Sequence, residues 1–137
     1  MSAYTVSRGQ WLAWVAAIPA GLGIAYGAST LVARARSFCD AAWEPQHRFA
    51  HLFELIVLAA ATAVAAVVVA VLARTATVRA PRPVRASAQL AAVLLVAGAI
   101  AWWYVAWQGT PAGYPGDSGL CPDSNVPPWW PSWLPVG

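Results

Sequence analysis

Three long runs without a charged side chain divide the chain: Trp11 to Ala33, Leu55 to Ala73 and Leu90 to Trp107, of 23, 19 and 18 residues. Crossing a hydrocarbon layer ~30 Å thick takes about 20 helical residues at ~1.5 Å each. Only helices satisfy the backbone polar groups of such runs in lipid. The pattern therefore predicts an all-α integral membrane fold, a three-transmembrane-helix bundle with spans over about 11–33, 52–73 and 88–107. It makes 1–137 a single membrane domain, with connectors over 34–51 and 74–87 and a Pro/Trp-rich tail over 108–137.

Charge sets the expected orientation. Arg74, Arg79, Arg82 and Arg85 crowd the second connector, and Arg8 precedes the first span, against Arg34, Arg36 and Arg48 on the other side. Arginines in short connectors stay on the cytoplasmic side during insertion. The N-terminus and the connector 74–87 are thus expected inside, and the connector 34–51 and the tail outside. Cleavage of the first span as a signal peptide, at Ala33-Arg34-Ala35, is the alternative. It is disfavoured because 23 apolar residues exceed the ~7–15 of a signal core. Trp11 and Trp14 open the first span and Trp102, Trp103, Tyr104 and Trp107 close the third, as interfacial aromatic belts do.

Composition narrows the class. Sixty per cent of the chain is hydrophobic and nine per cent charged, too few charges to cover a soluble domain of this size. The net charge of +3 does not point to nucleic acid, because there is no lysine and the arginines sit at span ends and in connectors. The absence of lysine, with alanine at nearly a quarter of positions, suits a GC-rich bacterial genome and hence a bacterial cytoplasmic (inner) membrane.

Both cysteines, Cys39 and Cys121, fall on the expected oxidising side, which predicts a disulfide between them. The tail contains seven prolines and five glycines, which exclude a long helix. It also carries Trp129, Trp130 and Trp133, which a disordered linker would rarely hold. The expectation is that this run folds back on the membrane interface or docks on a partner. Gly23 and Gly27 form a G-x-x-x-G on the first span, a second candidate contact for packing within the bundle or against another subunit.

Glu44, His47, His51 and Glu54 share one helix face at spacings of three, four and three. Histidines at i and i+4 with a carboxylate nearby can bind a divalent metal. They can also bond a quinone head group, or reach a haem shared with another subunit. The set His47, His51 and Glu54 is therefore the candidate site for a redox role. The plain structural reading pairs Glu44 with Arg48 across one helical turn, and Glu54 with Arg34 or Arg36. With no phosphate loop, Cys-x-x-Cys pair or internal repeat, the sequence favours a small non-enzymatic accessory or assembly subunit of a larger membrane complex, with no cofactor of its own. Its expected partners are the lipid bilayer and other membrane subunits.

Overall fold

The computed structural model describes residues 8–110 and 116–136, with side chains from residue 16 onward. Trp11 and Trp14 lie outside the described side chains, so their expected interfacial role is not addressed. The described chain is all-helical: α1 (Arg8–Cys39), α2 (Pro45–Ala76) and α3 (Arg82–Gln108), followed by an irregular tail. Within them Ala16–Cys39, Pro45–Ala76 and Arg82–Gln108 are each long and apolar enough to cross a membrane.

Each helix turns inward a face made mostly of small residues, at spacings of three, four or seven. On α1 this face is Ala17, Gly21, Ala25, Ala28, Val32 and Ala35; on α2 it is Leu58, Thr62, Ala66 and Ala70; on α3 it is Gln89, Val93, Ala97 and Tyr104. The large apolar side chains point the other way. Phe49, Phe53, Ile56, Val57 and Leu72 on α2, with Leu95 on α3, are all more than half exposed. That is the reverse of a water-soluble bundle, which hides its large apolar residues. A continuous apolar exterior over a small-residue interior suits a multi-pass membrane protein.

Small interior residues let the backbones come close. At the end of the bundle near the α2–α3 connector the core is only Ala17, Ala66, Ala70 and Val93. There Gln89 on α3 donates from Nε2 to the carbonyl of Ala70 on α2, 3.1 Å away. The glycine that serves this packing is Gly21: a Cβ there would lie 3.4 Å from Thr62 Cγ2 and 3.9 Å from Ala66 Cβ. Gly23 and Gly27 face open space, with nothing within 4 Å of an added Cβ. The G-x-x-x-G therefore faces away from the packed interior of the bundle.

The helices outrun the uncharged stretches, because helix hydrogen bonds do not depend on side-chain polarity. α1 continues past Arg34 and Arg36 and stops at Cys39, where Asp40 adopts a left-handed φ of 51° and Ala41 N–H donates to Arg36 O at 3.0 Å. This is a Schellman-type stop, made here without glycine. α2 begins at once, with Pro45 in its first turn after Glu44 as N-cap. The non-helical link within 34–51 is thus only residues 40–44.

The tail folds over the Cys39 end of the bundle. Cys39 and Cys121 are bonded, with Cα atoms 5.4 Å apart and a sequence separation of 82, as the cysteine count predicts. Trp130 is buried in the same cluster as Ala25, Ala28, Val32, Ala35, Leu58, Tyr104 and Val105, with Val126 and Leu134 packed alongside. The tail thus docks on its own helices. Buried Asn125, at φ 54°, accepts from Gly116 N–H at 2.8 Å and donates its own N–H to Pro122 O at 2.8 Å. Its carbonyl lies 3.4 Å from Cys39 Sγ, a packing contact because a disulfide sulfur carries no proton.

Gly116 lets the tail pass this close. A Cβ there would sit 1.9 Å from the carbonyl oxygen of Cys39. Closing a loop of 82 residues stabilises the folded state by ~4.5 kcal/mol on the chain-entropy argument, an upper bound because the bundle already confines both ends. Gly116→Ala is expected to lift the cap even with the disulfide intact. Limited proteolysis in mild detergent checks this: the variant's tail should be cut several times faster than wild type, and equal rates would contradict the close approach.

Candidate functional site

The main polar constellation lies between the three helices just beneath the cap. His51, one turn and a half into α2, is its centre. Its Nε2 is 3.0 Å from Ser29 Oγ on α1, and its Nδ1 is 3.4 Å from Tyr104 Oη on α3 and 3.5 Å from Glu54 Oε2. A neutral imidazole has one donor and one acceptor nitrogen, so one side of the ring donates while the other accepts. Trp43 closes the remaining side, edge to face with the ring at 5.5 Å.

From Glu54 the chain of contacts runs outward. Gln108 Nε2 donates to Glu54 Oε1 at 2.8 Å, and Arg36 Nη2 donates to Gln108 Oε1 at 2.6 Å. The same guanidinium donates from Nε and Nη2 to the Gln108 carbonyl at 3.1 and 2.8 Å. That carbonyl belongs to the last residue of α3, where no further turn exists to satisfy it. Arg36 is therefore a C-terminal cap supplied by another helix, and Gln108 relays its charge to Glu54. The expected direct Glu54–arginine pair is not formed; Arg36 reaches Glu54 through Gln108, and Arg34 is exposed.

The helical register explains who meets whom. Ser29 and Arg36 are seven residues apart on α1 and so lie on one face; His51 and Glu54 are three apart on α2; Tyr104 and Gln108 are four apart on α3. Sequence reading finds His51 and Glu54 but misses Ser29, Tyr104 and Gln108. Ser29 carries a faint signal as one of two adjacent hydroxyl residues, with Thr30, in an uncharged run.

His47 does not join the cluster. Its partner is the exposed Glu44, with Nδ1 3.7 Å from Glu44 Oε2. Glu44 also accepts from Gln46 Nε2, and Arg48 turns instead to the Trp43 carbonyl at 2.9 Å and lies over the Trp43 ring. The expected Glu44–Arg48 pair is absent for that reason. Among the described residues no three His, Cys, Asp or Glu side chains come together in a way that could hold a metal. His47, His51 and Glu54 are therefore not brought together as a ligand set, although they share a helix.

The order Ser29, His51, Glu54 is that of a nucleophile, a base and an orienting carboxylate. What it lacks is access. Ser29 is 2% exposed. A neighbouring apolar groove of about 270 Å³ between α1 and α3 is lined by Gly27, Ala28, Gly98 and Val105 under Trp102 and Trp133, and by none of the three. The arrangement works as an interhelical clamp that joins all three helices through one imidazole.

Of the three tail tryptophans expected as contact residues, Trp130 is only 8% exposed and faces the core. Trp129 and Trp133 are 43% and 68% exposed. Trp129 meets Phe38 edge-on at 5.9 Å, and Trp133 stacks on Trp102 at 6.1 Å, so both rings are held in place while showing a face outward. No protein-family model matches the chain, and neither a curated protein nor a solved structure matches it significantly.

A double-mutant cycle tests the clamp. Ser29→Ala and His51→Ala are expected to be coupled by roughly 0.6–1.7 kcal/mol, from the average to the maximum for hydrogen bonds between membrane helices. Unfolding of the four proteins in detergent measures it, and strictly additive losses would mean that the Ser29–His51 bond contributes nothing.

Proposed function

We propose that the chain is a three-span protein of a bacterial cytoplasmic membrane, with its N-terminus inside and its C-terminus outside. Its role is that of a small non-enzymatic accessory or assembly subunit of a larger membrane complex. The observation that carries this reading is the cap: one tryptophan is buried to hold the tail down, while Trp133 is displayed beside Trp102 and Trp129 beside Phe38 on a disulfide-tied surface. Rigid aromatic side chains that lose little entropy on contact are what binding surfaces concentrate. The polar groups beneath support the same reading, because their hydrogen bonds tie the chain's own helices together.

The partner expected is another integral subunit whose extracytoplasmic edge meets the cap at the membrane surface. The outward face of α1 at Gly23 and Gly27 adds a second place for a neighbouring helix to approach. In this reading the redox alternative, with a divalent metal, quinone or shared haem on His47, His51 and Glu54, would require the clamp to be broken first.

Affinity purification of the tagged protein in mild detergent, with mass spectrometry and an absorption spectrum, tests the role. A stoichiometric membrane partner is expected to co-purify with wild type and with His51→Ala. It should be reduced at least about tenfold with Trp129→Ala/Trp133→Ala, which leaves Trp130 and the disulfide in place. A lone protein carrying metal, haem or quinone that is lost in His51→Ala would contradict the proposal and favour the redox alternative.

A further inference from the structure

Charge is segregated along the bundle. All five acids, Asp40, Glu44, Glu54, Asp117 and Asp123, belong to the cap end, together with Arg34, Arg36 and Arg48. The other end has Arg8, Arg74, Arg79, Arg82 and Arg85 and no acid. The arginines of the α2–α3 connector are not equivalent. Arg85 turns inward: Nε donates to Thr77 O at 3.2 Å, and Nη2 donates to Ala80 O at 3.1 Å and to Val78 O. It holds the connector together by satisfying carbonyls that follow the end of α2. Arg74, Arg79 and Arg82 make no hydrogen bond or ion pair among the described residues, and Arg79 and Arg82 are exposed.

Three guanidinium groups close in sequence, without a carboxylate at their end of the molecule, leave a net positive surface that attracts anions. In the proposed membrane setting they stand at the depth of the lipid phosphates. We infer that Arg74, Arg79 and Arg82 form a binding surface for the phosphate groups of anionic phospholipids in the cytoplasmic leaflet. The guanidinium fork matches phosphate geometry and bonds it bidentately. Each arginine near an anionic membrane surface contributes on the order of fivefold in affinity, and the effect is screened by salt. On this account the connector does more than hold its side of the membrane during insertion. It selects the lipids that surround the finished protein, and Arg85 is the residue that shapes it.

The inference rests on the membrane reading given above, so the two are tested apart. Alkaline carbonate washing of membranes containing the full chain tests the first: retention supports the membrane reading, and release overturns both. Native mass spectrometry of the purified chain, with phosphatidylglycerol and phosphatidylcholine in turn, tests the second. Wild type is expected to prefer phosphatidylglycerol by about tenfold or more at low salt. The preference should fall close to one in Arg74→Gln/Arg79→Gln/Arg82→Gln and stay intact in Arg34→Gln at the opposite end. Inorganic phosphate at equal concentration should not displace the lipid; displacement would make this a free-anion site and overturn the lipid assignment. Equal binding of the two lipids by wild type, or an undiminished preference in a triple variant of unchanged helicity, would also overturn it.

Discussion

Arg36 closes α3 from α1, and much of the cap end follows from that contact. Its guanidinium takes the carbonyl and the side chain of Gln108 together, and so fixes where α3 stops and which way the tail leaves. Gln108 is thereby turned to Glu54, Glu54 stands behind His51, and His51 reaches Ser29. Three residues beyond Arg36 is Cys39, whose disulfide returns the tail to the point that Arg36 has prepared. A charge-assisted contact to an otherwise orphaned helix-end carbonyl is worth more than a neutral hydrogen bond. Breaking it would leave both a half-buried cation and a carbonyl without partners.

The body of the bundle obeys a different constraint. Its interior is alanine, glycine, threonine and valine, so little stability can come from burying large side chains there. Association has to come from close backbone contact and from a few interhelical hydrogen bonds, which is how helices associate in lipid. The two polar ties, Gln89 to the Ala70 carbonyl at one end and the His51 cluster at the other, bracket a middle with almost no polar side chain except Thr62, which returns its hydrogen bond to Leu58 in its own helix. Fixed ends and a smooth middle give the bundle a defined register without large core residues.

How much of this was legible in the sequence follows from range. The three helices were, because uncharged runs of that length leave the backbone no other solution. Their ends were not: Arg34 and Arg36 look like a boundary, yet α1 continues to Cys39 before Asp40 stops it. The disulfide was legible because two cysteines allow one pairing. The G-x-x-x-G left open which face turns inward, because a periodic pattern cannot say so; packing against Thr62 and Ala66 falls to Gly21, and Gly23 and Gly27 face outward. Half of the polar cluster was visible as a pattern within one helix; the other half, Ser29, Tyr104 and Gln108, arrives from other helices through rotations that no local spacing encodes. In the tail, composition announced structure but could not assign Trp130 inward and Trp133 outward.

The proposed role depends on the cap facing the extracytoplasmic side, where a disulfide persists and a neighbouring subunit can meet Trp129 and Trp133. The most direct measurement is a pair of reporter fusions after Gly137, alkaline phosphatase in one and green fluorescent protein in the other, expressed in a bacterial host. The account predicts an active phosphatase fusion and a dark fluorescent one, since each reporter folds on only one side of the membrane. A fluorescent fusion with inactive phosphatase would put the cap in the reducing cytoplasm, and the orientation, the lipid surface on the connector and the docking role would fall together.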